Sequence, residues 1–254
     1  MRLIDTAFGK FHVFQYDTIG DVDKQGFWEP YCRAWFDRVA PGEGFVDIGA
    51  NYGFFTVYMA RRGCRVFSFE PSPEIFPVLK ANVELNGVEG LVELHNTALF
   101  DDSCEKLVIA QEWLTWPMSR VVFTEEGGID YDKMVNSGGL TLVPGDVPND
   151  RLNRIFIPKR LDDYALWGEG DQAGKRIRLI KIDTQGADLR ILYGARKTIE
   201  IEKPLLLFEC EPIPAAFFGD NLAKMEAFMD EIGYATEILL AVGPEWRQFA
   251  ARPK

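Results

Sequence analysis

Histidine is scarce in this chain: of 254 residues only His12 and His95 carry an imidazole. Cysteine is sparse too. Cys32, Cys64, Cys104 and Cys210 are scattered with no Cys-x-x-Cys spacing, which argues against a zinc site and reads as free thiols in a reducing cytoplasm. No apolar run approaches the ~20 residues that span a bilayer. The first residues, Met1-Arg2-Leu3-Ile4-Asp5-Thr6, lack the apolar core of a signal peptide, so the expected location is the cytoplasm. A basic excess is also missing. The formal charge is −11, the opposite of the footprint a phosphate backbone requires, so nucleic acid is not the expected partner. The basic residues Arg151, Arg154, Lys159 and Arg160 read as solvated surface. No internal repeat is visible.

Apolar residues make up 47% of the chain, enough for a sizeable core in one α/β domain. The most informative stretch is Phe45-Val46-Asp47-Ile48-Gly49-Ala50-Asn51-Tyr52-Gly53-Phe54-Phe55-Thr56. It reads as a buried strand, a tight glycine turn and the start of a helix, the arrangement that binds nucleotides in open α/β sheets. Asp47 ends the strand, and Gly49 and Gly53 let the backbone turn or a ligand approach. Glu70 closes the next apolar run, Val66-Phe67-Ser68-Phe69. An acid about 20 positions beyond the turn can accept ribose hydroxyls. The dinucleotide fingerprint needs a second glycine where a pyrophosphate approaches, and here Asn51 occupies that place. Asp47 would repel a pyrophosphate and suit a cationic ligand. These features disfavour a nicotinamide-dependent oxidoreductase and favour S-adenosylmethionine, which carries an ammonium, a sulfonium and no phosphate.

Strands and helices then alternate, which implies a mainly parallel sheet. Residues 1–40 read as an N-terminal extension, with a hairpin strand from Phe8 to Tyr16 and a helix from Trp28 to Val39. Core strands are expected at Phe45–Ile48, Arg65–Glu70, Leu91–Asn96, Ile177–Asp183, Leu205–Glu209, Thr236–Val242 and Arg247–Ala250. Helices are expected at Phe54–Arg62, from Ser72 as N-cap to about Asn86, at Ala187–Ile201 and at Leu222–Ile232. The alternation breaks over residues 101–160, an insertion with short strands at Glu105–Ala110 and Arg154–Arg160. A long irregular stretch of this kind is usually functional or disordered, and here it is expected to cover an acceptor pocket. Trp113, Trp116, Tyr131 and Met134 would offer apolar faces there, and Asp130 and Asp132 would bind hydroxyls.

The chain resembles the FkbM family of methyltransferases over roughly residues 40–235. The resemblance rests on the 46–56 segment, on Phe69-Glu70-Pro71-Ser72-Pro73, and on Asn82 with Asn86-Gly87-Val88. It extends through Asn96-Thr97-Ala98-Leu99, Arg160-Leu161-Asp162-Asp163-Tyr164, Ile180-Lys181-Ile182-Asp183-Thr184-Gln185-Gly186-Ala187-Asp188 and Leu207-Phe208-Glu209. It implies a Rossmann-like class I methyltransferase fold: a mainly parallel seven-stranded sheet with helices on both faces. It also implies S-adenosylmethionine as donor and methylation of a hydroxyl on a sugar, glycolipid or secondary metabolite. The family usually has glutamate where this chain has Gln185, and glutamate again where it has Asp188.

The expected cofactor residues are Asp47, Gly49, Ala50, Asn51, Tyr52, Gly53, Glu70, Pro71, Asn96, Ala98 and Asp183. A hydroxyl acceptor must lose a proton, and the candidate bases are Asp183, Glu209 and His95. Asp183 and Glu209 are the candidate ligands for a divalent cation such as Mg²⁺, which would acidify the hydroxyl. His12, in the extension, reads as structural. An N-methyltransferase of a small molecule and a non-catalytic methyltransferase-like binding protein are the alternatives. The expected partner is a small-molecule or glycan acceptor, and a homo-oligomer is compatible with the sequence.

Overall fold

The computed structural model describes residues 1–15, 27–109, 141–145, 154–166, 176–243 and 246–254. An N-terminal hairpin comes first, β1 (Arg2–Thr6) and β2 (Gly9–Val13), paired antiparallel with Thr6 opposite Gly9. The expected strand from Phe8 is therefore β2, and its partner β1 had no signal beyond its neighbour. Next come a 3₁₀ turn at Pro30–Cys32 and the short helix α1 (Arg33–Phe36), where a helix over Trp28–Val39 is expected from the apolar spacing. Pro30 and the left-handed backbone of Glu29 (φ 52°) start the element late.

The central sheet then builds in chain order: β3 (Gly44–Ile48), α2 (Phe54–Arg61), β4 (Arg65–Phe69), α3 (Phe76–Leu85) and β5 (Val92–His95). After it lies a small antiparallel sheet of β6 (Leu107–Ile109), β7 (Leu142–Pro144) and β8 (Ile155–Phe156). The central sheet resumes with β9 (Ile177–Ile182), α4 (Asp188–Gly194), α5 (Arg196–Glu202), β10 (Leu205–Cys210), α6 (Pro212–Ala216), α7 (Leu222–Glu231), β11 (Tyr234–Val242) and β12 (Trp246–Pro253). Its seven strands run in the order β11-β12-β10-β9-β3-β4-β5. The pairs from β10 to β5 are parallel, and β12 is antiparallel to both neighbours. Every residue of β3 and β10 is buried, as central strands covered on both faces must be.

Two apolar layers flank the sheet. One contains the hairpin, α1, α2 and α3; the other contains α4, α5 and α7. In the first layer, Phe8, Phe27, Phe36, Phe54, Phe55 and Tyr58 pack in edge and stacked pairs, with Phe36 on Phe55 at 4.8 Å between ring centroids. Each such pair adds about 0.5–1.5 kcal/mol beyond burial, so the start of α2, directly after the glycine turn, is held rigidly. Asn82 of α3 clips the hairpin to this layer. Its Oδ1 accepts from the His12 N–H at 2.7 Å, and its amide donates to the carbonyls of His12 and Tyr52.

The helix expected over Ala187–Ile201 is two helices with a break at Ala195 (φ −108°). Gly194 sits so close to the Phe100 carbonyl that a Cβ there would meet its oxygen at 2.1 Å. Asp162 then starts α5 by accepting the N–H groups of Lys197 and Thr198. No described helix is long and apolar enough to cross a membrane.

Candidate active site

The carboxyl ends of β3, β4, β9 and β10 open into a cavity of about 390 Å³, the location where open α/β sheets take ligands. Its first wall is the glycine turn. The N–H groups of Gly49 and Ala50 both donate to the Phe69 carbonyl, at 2.9 and 3.0 Å, so the turn is tied to the neighbouring strand. Gly49 has φ +76°, and a Cβ there would lie 2.0 Å from the Asp183 carbonyl oxygen. Only glycine fits between the two loops. Asn51 follows with φ 49°, and its N–H donates to Glu70 Oε2 at 2.9 Å. The other Glu70 oxygen accepts the Ser72 N–H at 2.8 Å. Glu70 is therefore a buried carboxylate held by two main-chain donors, with its group lining the cavity. Burial, the largest influence, outweighs those donors and pushes its pKa up to about 7. Pro71, Thr97, Ala98 and Leu99 complete this end.

The opposite wall is acidic. Asp183 follows β9 with a quarter of its side chain exposed; its Oδ2 accepts from Lys181 Nζ at 3.0 Å and its Oδ1 faces Gln185 Nε2 at 3.4 Å. The Lys181 ammonium is buried, lies 4.8 Å from the centroid of the Phe55 ring and interacts with Asp183, Glu29 and Asp47. Glu209 is the penultimate residue of β10, 6% exposed, and no described residue donates a hydrogen bond to its carboxylate. Burial, then the charges of Asp183, Glu29 and Glu211, raise its pKa well above the usual glutamate range. Glu211 and Glu29 are each pushed up to about 7, again mainly by burial. Trp28, Tyr31 and Trp246 line the same wall.

Several expected residues lie elsewhere. Tyr52 is fully buried in the hairpin-side core, where its hydroxyl accepts from the Phe14 N–H; its side chain leaves the turn on the side away from the cavity. Gly53 serves packing, since a Cβ there would strike Leu79 at 2.4 Å. Asp47 is entirely buried below the cavity floor, opposite Lys181 in register, and accepts from Thr56 Oγ1 at 2.6 Å. Asn96 braces the Glu70 loop from behind, donating to the carbonyls of Glu70 and Pro71. His95 stacks on Phe69 at 4.6 Å and contacts Tyr164, outside the cavity lining, with its pKa lowered chiefly by burial. Asp188 holds the wall together instead of lining it. Its carboxylate accepts from the Glu209 N–H and from Thr184 Oγ1, both at 2.8 Å.

Among the described residues no group of three His, Cys, Asp or Glu side chains is arranged to hold a metal ion. Leu107, Leu142, Arg154 and Phe156, from the region expected to cover the site, do line the cavity, and Arg154 forms a two-pronged ion pair with Glu74. Trp113, Trp116, Asp130, Tyr131, Asp132 and Met134 lie outside the described residues.

Lys181, Glu29, Glu211 and Trp246 were not singled out as site residues from the sequence. One signal for Glu29 exists in the backbone. Among the described residues, four that are not glycine have positive φ: Glu29, Asn51, Gln185 and Lys203. The first three line the cavity, in keeping with the clustering of strained residues at functional sites.

A mainly parallel sheet in this strand order, with one antiparallel strand and a glycine turn at its carboxyl edge, defines the class I methyltransferase architecture. The methyltransferase FkbM domain matches residues 47–236, and the chain belongs to that family. It is 31% identical over 159 residues to Methyltransferase sdnD of Sordaria araneosa, covering 59% of each chain. It is 27% identical over 157 residues to Methyltransferase 1 of Beauveria bassiana, covering 61% of this chain and 59% of the relative. The chain thus spans 59% of the length of these two relatives. The crystal structure of methyltransferase FkbM from Methylobacillus flagellatus superposes with a TM-score of 0.53 at 17% identity, covering 88% of this chain and 48% of that one. It shares the fold.

Proposed function

We propose that the chain is an S-adenosylmethionine-dependent O-methyltransferase acting on a hydroxyl of a sugar, glycolipid or secondary metabolite. The observation that carries this reading is the pairing, in one cavity, of a nucleoside-type end at Gly49-Ala50-Asn51 and Glu70 with an acidic end at Asp183 and Glu209. The fit to the donor is chemical as well as steric. Glu70 retains lone pairs beyond its two main-chain donors, which suits ribose hydroxyls. The missing Cβ of Gly49 lets the turn sit against the Asp183 carbonyl, and the acidic wall favours a ligand with positive charge. When bound, S-adenosylmethionine supplies a methyl group already activated by its sulfonium.

The protein's task is then to orient the acceptor, which can contribute as much as ~7–11 kcal/mol, and to take its proton. Asp183 Oδ1 is suited to that proton: Lys181 neutralises the Oδ2 side, and the Gln185 contact at 3.4 Å is long enough to be displaced. Glu209, whose pKa is raised by burial and then by the neighbouring acids, would bind the acceptor beside Asp183. The 101–160 region would cover the acceptor. The test is S-adenosylhomocysteine production over a panel of deoxysugars and glycolipids, comparing Asp183→Asn with the natural chain. The reading requires that Asp183→Asn lowers kcat by at least about 100-fold, the usual worth of a general base, with KM for the donor little changed. Equal turnover in the two would remove Asp183 from the proton transfer.

A further inference from the structure

We propose that the acceptor carries a protonated amine beside its reacting hydroxyl, and that Glu209, Glu211 and the indole of Trp246 form the subsite for that ammonium. The inference rests on the methyl-transfer reading above and names the substrate class for the same cavity.

Four carboxylates, Glu29, Asp183, Glu209 and Glu211, line the acidic end, against one buried cation, Lys181. Lys181 is committed: it hydrogen-bonds Asp183 and also faces Glu29 and Asp47. Glu209 and Glu211 have no ion-pair partner among the described residues. Glu209 is more than nine-tenths buried, and no described residue donates a hydrogen bond to its carboxylate. Glu211 accepts from Trp246 Nε1 at 2.9 Å through Oε1, while its Oε2 is buried with no partner among the described residues.

Buried polar atoms without partners are uncommon, and one that persists calls for a ligand, an ion or water. Two adjacent acids left open in a cavity that is otherwise tightly bonded are arranged to receive donors, and an ammonium has three of them with the matching charge. Burial first, and then the neighbouring acids, raise the pKa of both glutamates; a bound cation would oppose both effects. Trp246 and the neighbouring Trp28 and Tyr31 add aromatic surface, which attracts cations as well as sugar rings. A neutral polyol would satisfy the oxygens but leave the charge of an ionised pair unbalanced. A carboxylate-bearing acceptor would be repelled.

The test uses three ring probes of equal size, cyclohexylammonium, cyclohexanol and cyclohexanecarboxylate. Each is titrated into the full chain with and without saturating S-adenosylhomocysteine and followed by tryptophan fluorescence. The expected result is that cyclohexylammonium binds about tenfold or more tighter than cyclohexanol, the worth of one hydrogen bond to a charged group, and that the carboxylate does not bind. Glu209→Gln and Glu211→Gln keep the shapes of the side chains, and each should reduce that preference to about threefold or less. Equal affinity for ammonium and alcohol overturns the subsite, as does a preference that survives in both variants, or no ammonium binding at tens of millimolar. The S-adenosylhomocysteine titration in the same samples reports separately on the methyl-transfer reading. Failure there with the ammonium preference intact would sink the donor assignment and leave the subsite standing.

Discussion

Replacing Glu70 by Gln separates a structural role from a ligand role at one atom. In the native site both carboxylate oxygens are used, Oε2 by the Asn51 N–H at 2.9 Å and Oε1 by the Ser72 N–H at 2.8 Å. Glutamine has one acceptor oxygen, so one of these amides would face an NH₂ group. A buried donor left unpaired costs about 1–3 kcal/mol. For a chain of this size each kcal/mol lowers the melting temperature by about 2–4 °C, giving a drop of roughly 2–12 °C. The ligand effect is additional. Each ribose hydroxyl bound by a carboxylate contributes about 1.5–3 kcal/mol, against about 0.5–1.5 for a neutral acceptor. Allowing about 1–3 kcal/mol for the difference at the two hydroxyls together gives S-adenosylhomocysteine binding weaker by roughly 5–150-fold. Thermal denaturation and calorimetric titration should be run near pH 8, where Glu70, with its pKa near 7, is mostly ionised. A melting shift with affinity unchanged would confine Glu70 to bracing the turn and refute its role toward the ribose.

Gly49→Ala places a methyl 2.0 Å from the Asp183 carbonyl oxygen at a backbone angle that disfavours any side chain; the two loops must part, and S-adenosylhomocysteine binding should be lost even if circular dichroism shows a folded chain. Lys181→Met leaves Asp183, Asp47 and Glu29 without their shared cation; denaturant unfolding should show a loss of about 3–5 kcal/mol, as for other broken buried pairs. The ligand-free chain should also be more stable at mildly acidic pH. Glu29, Glu70, Asp188 and Glu211 titrate near 7 when folded, whereas unfolded carboxyls titrate near 4. Between those values the folded state binds more protons, so stability falls as pH rises from about 4.5 to 7. Melting temperatures that climb steadily over that interval would contradict the crowded acidic wall.

What the sequence made legible was local. Gly49, Asn51, Glu70, Asp183 and Glu209 were visible because each stands at the end of an apolar run, where an α/β sheet presents its ligands. Tyr52 had the same address, but its neighbours' backbone angles send its ring into the core against Phe14. Whether a side chain in a tight turn points up or down depends on those angles, and the residue type does not reveal them. His95 looked like a base because imidazoles titrate near neutrality; it stacks on Phe69 of the neighbouring strand and meets the edge of Tyr164, which comes from a segment about 70 residues further on. The acidic wall was half hidden for the same reason. Glu29 arrives from a segment that folds back over the cavity, and Trp246 from β12, the strand inserted antiparallel between β10 and β11. Lys181 read as an interruption of an apolar strand, and only the register that sets it beside Asp47 reveals it as the cation that balances the site.

Calorimetric titration of the full chain with S-adenosylhomocysteine, with NADH as control ligand, tests the central claim most directly. The account predicts one-to-one binding of S-adenosylhomocysteine and none of NADH, because Asn51 and the acidic wall leave no place for a pyrophosphate. Binding of NADH, or no binding of S-adenosylhomocysteine by folded protein with or without Mg²⁺, would contradict it.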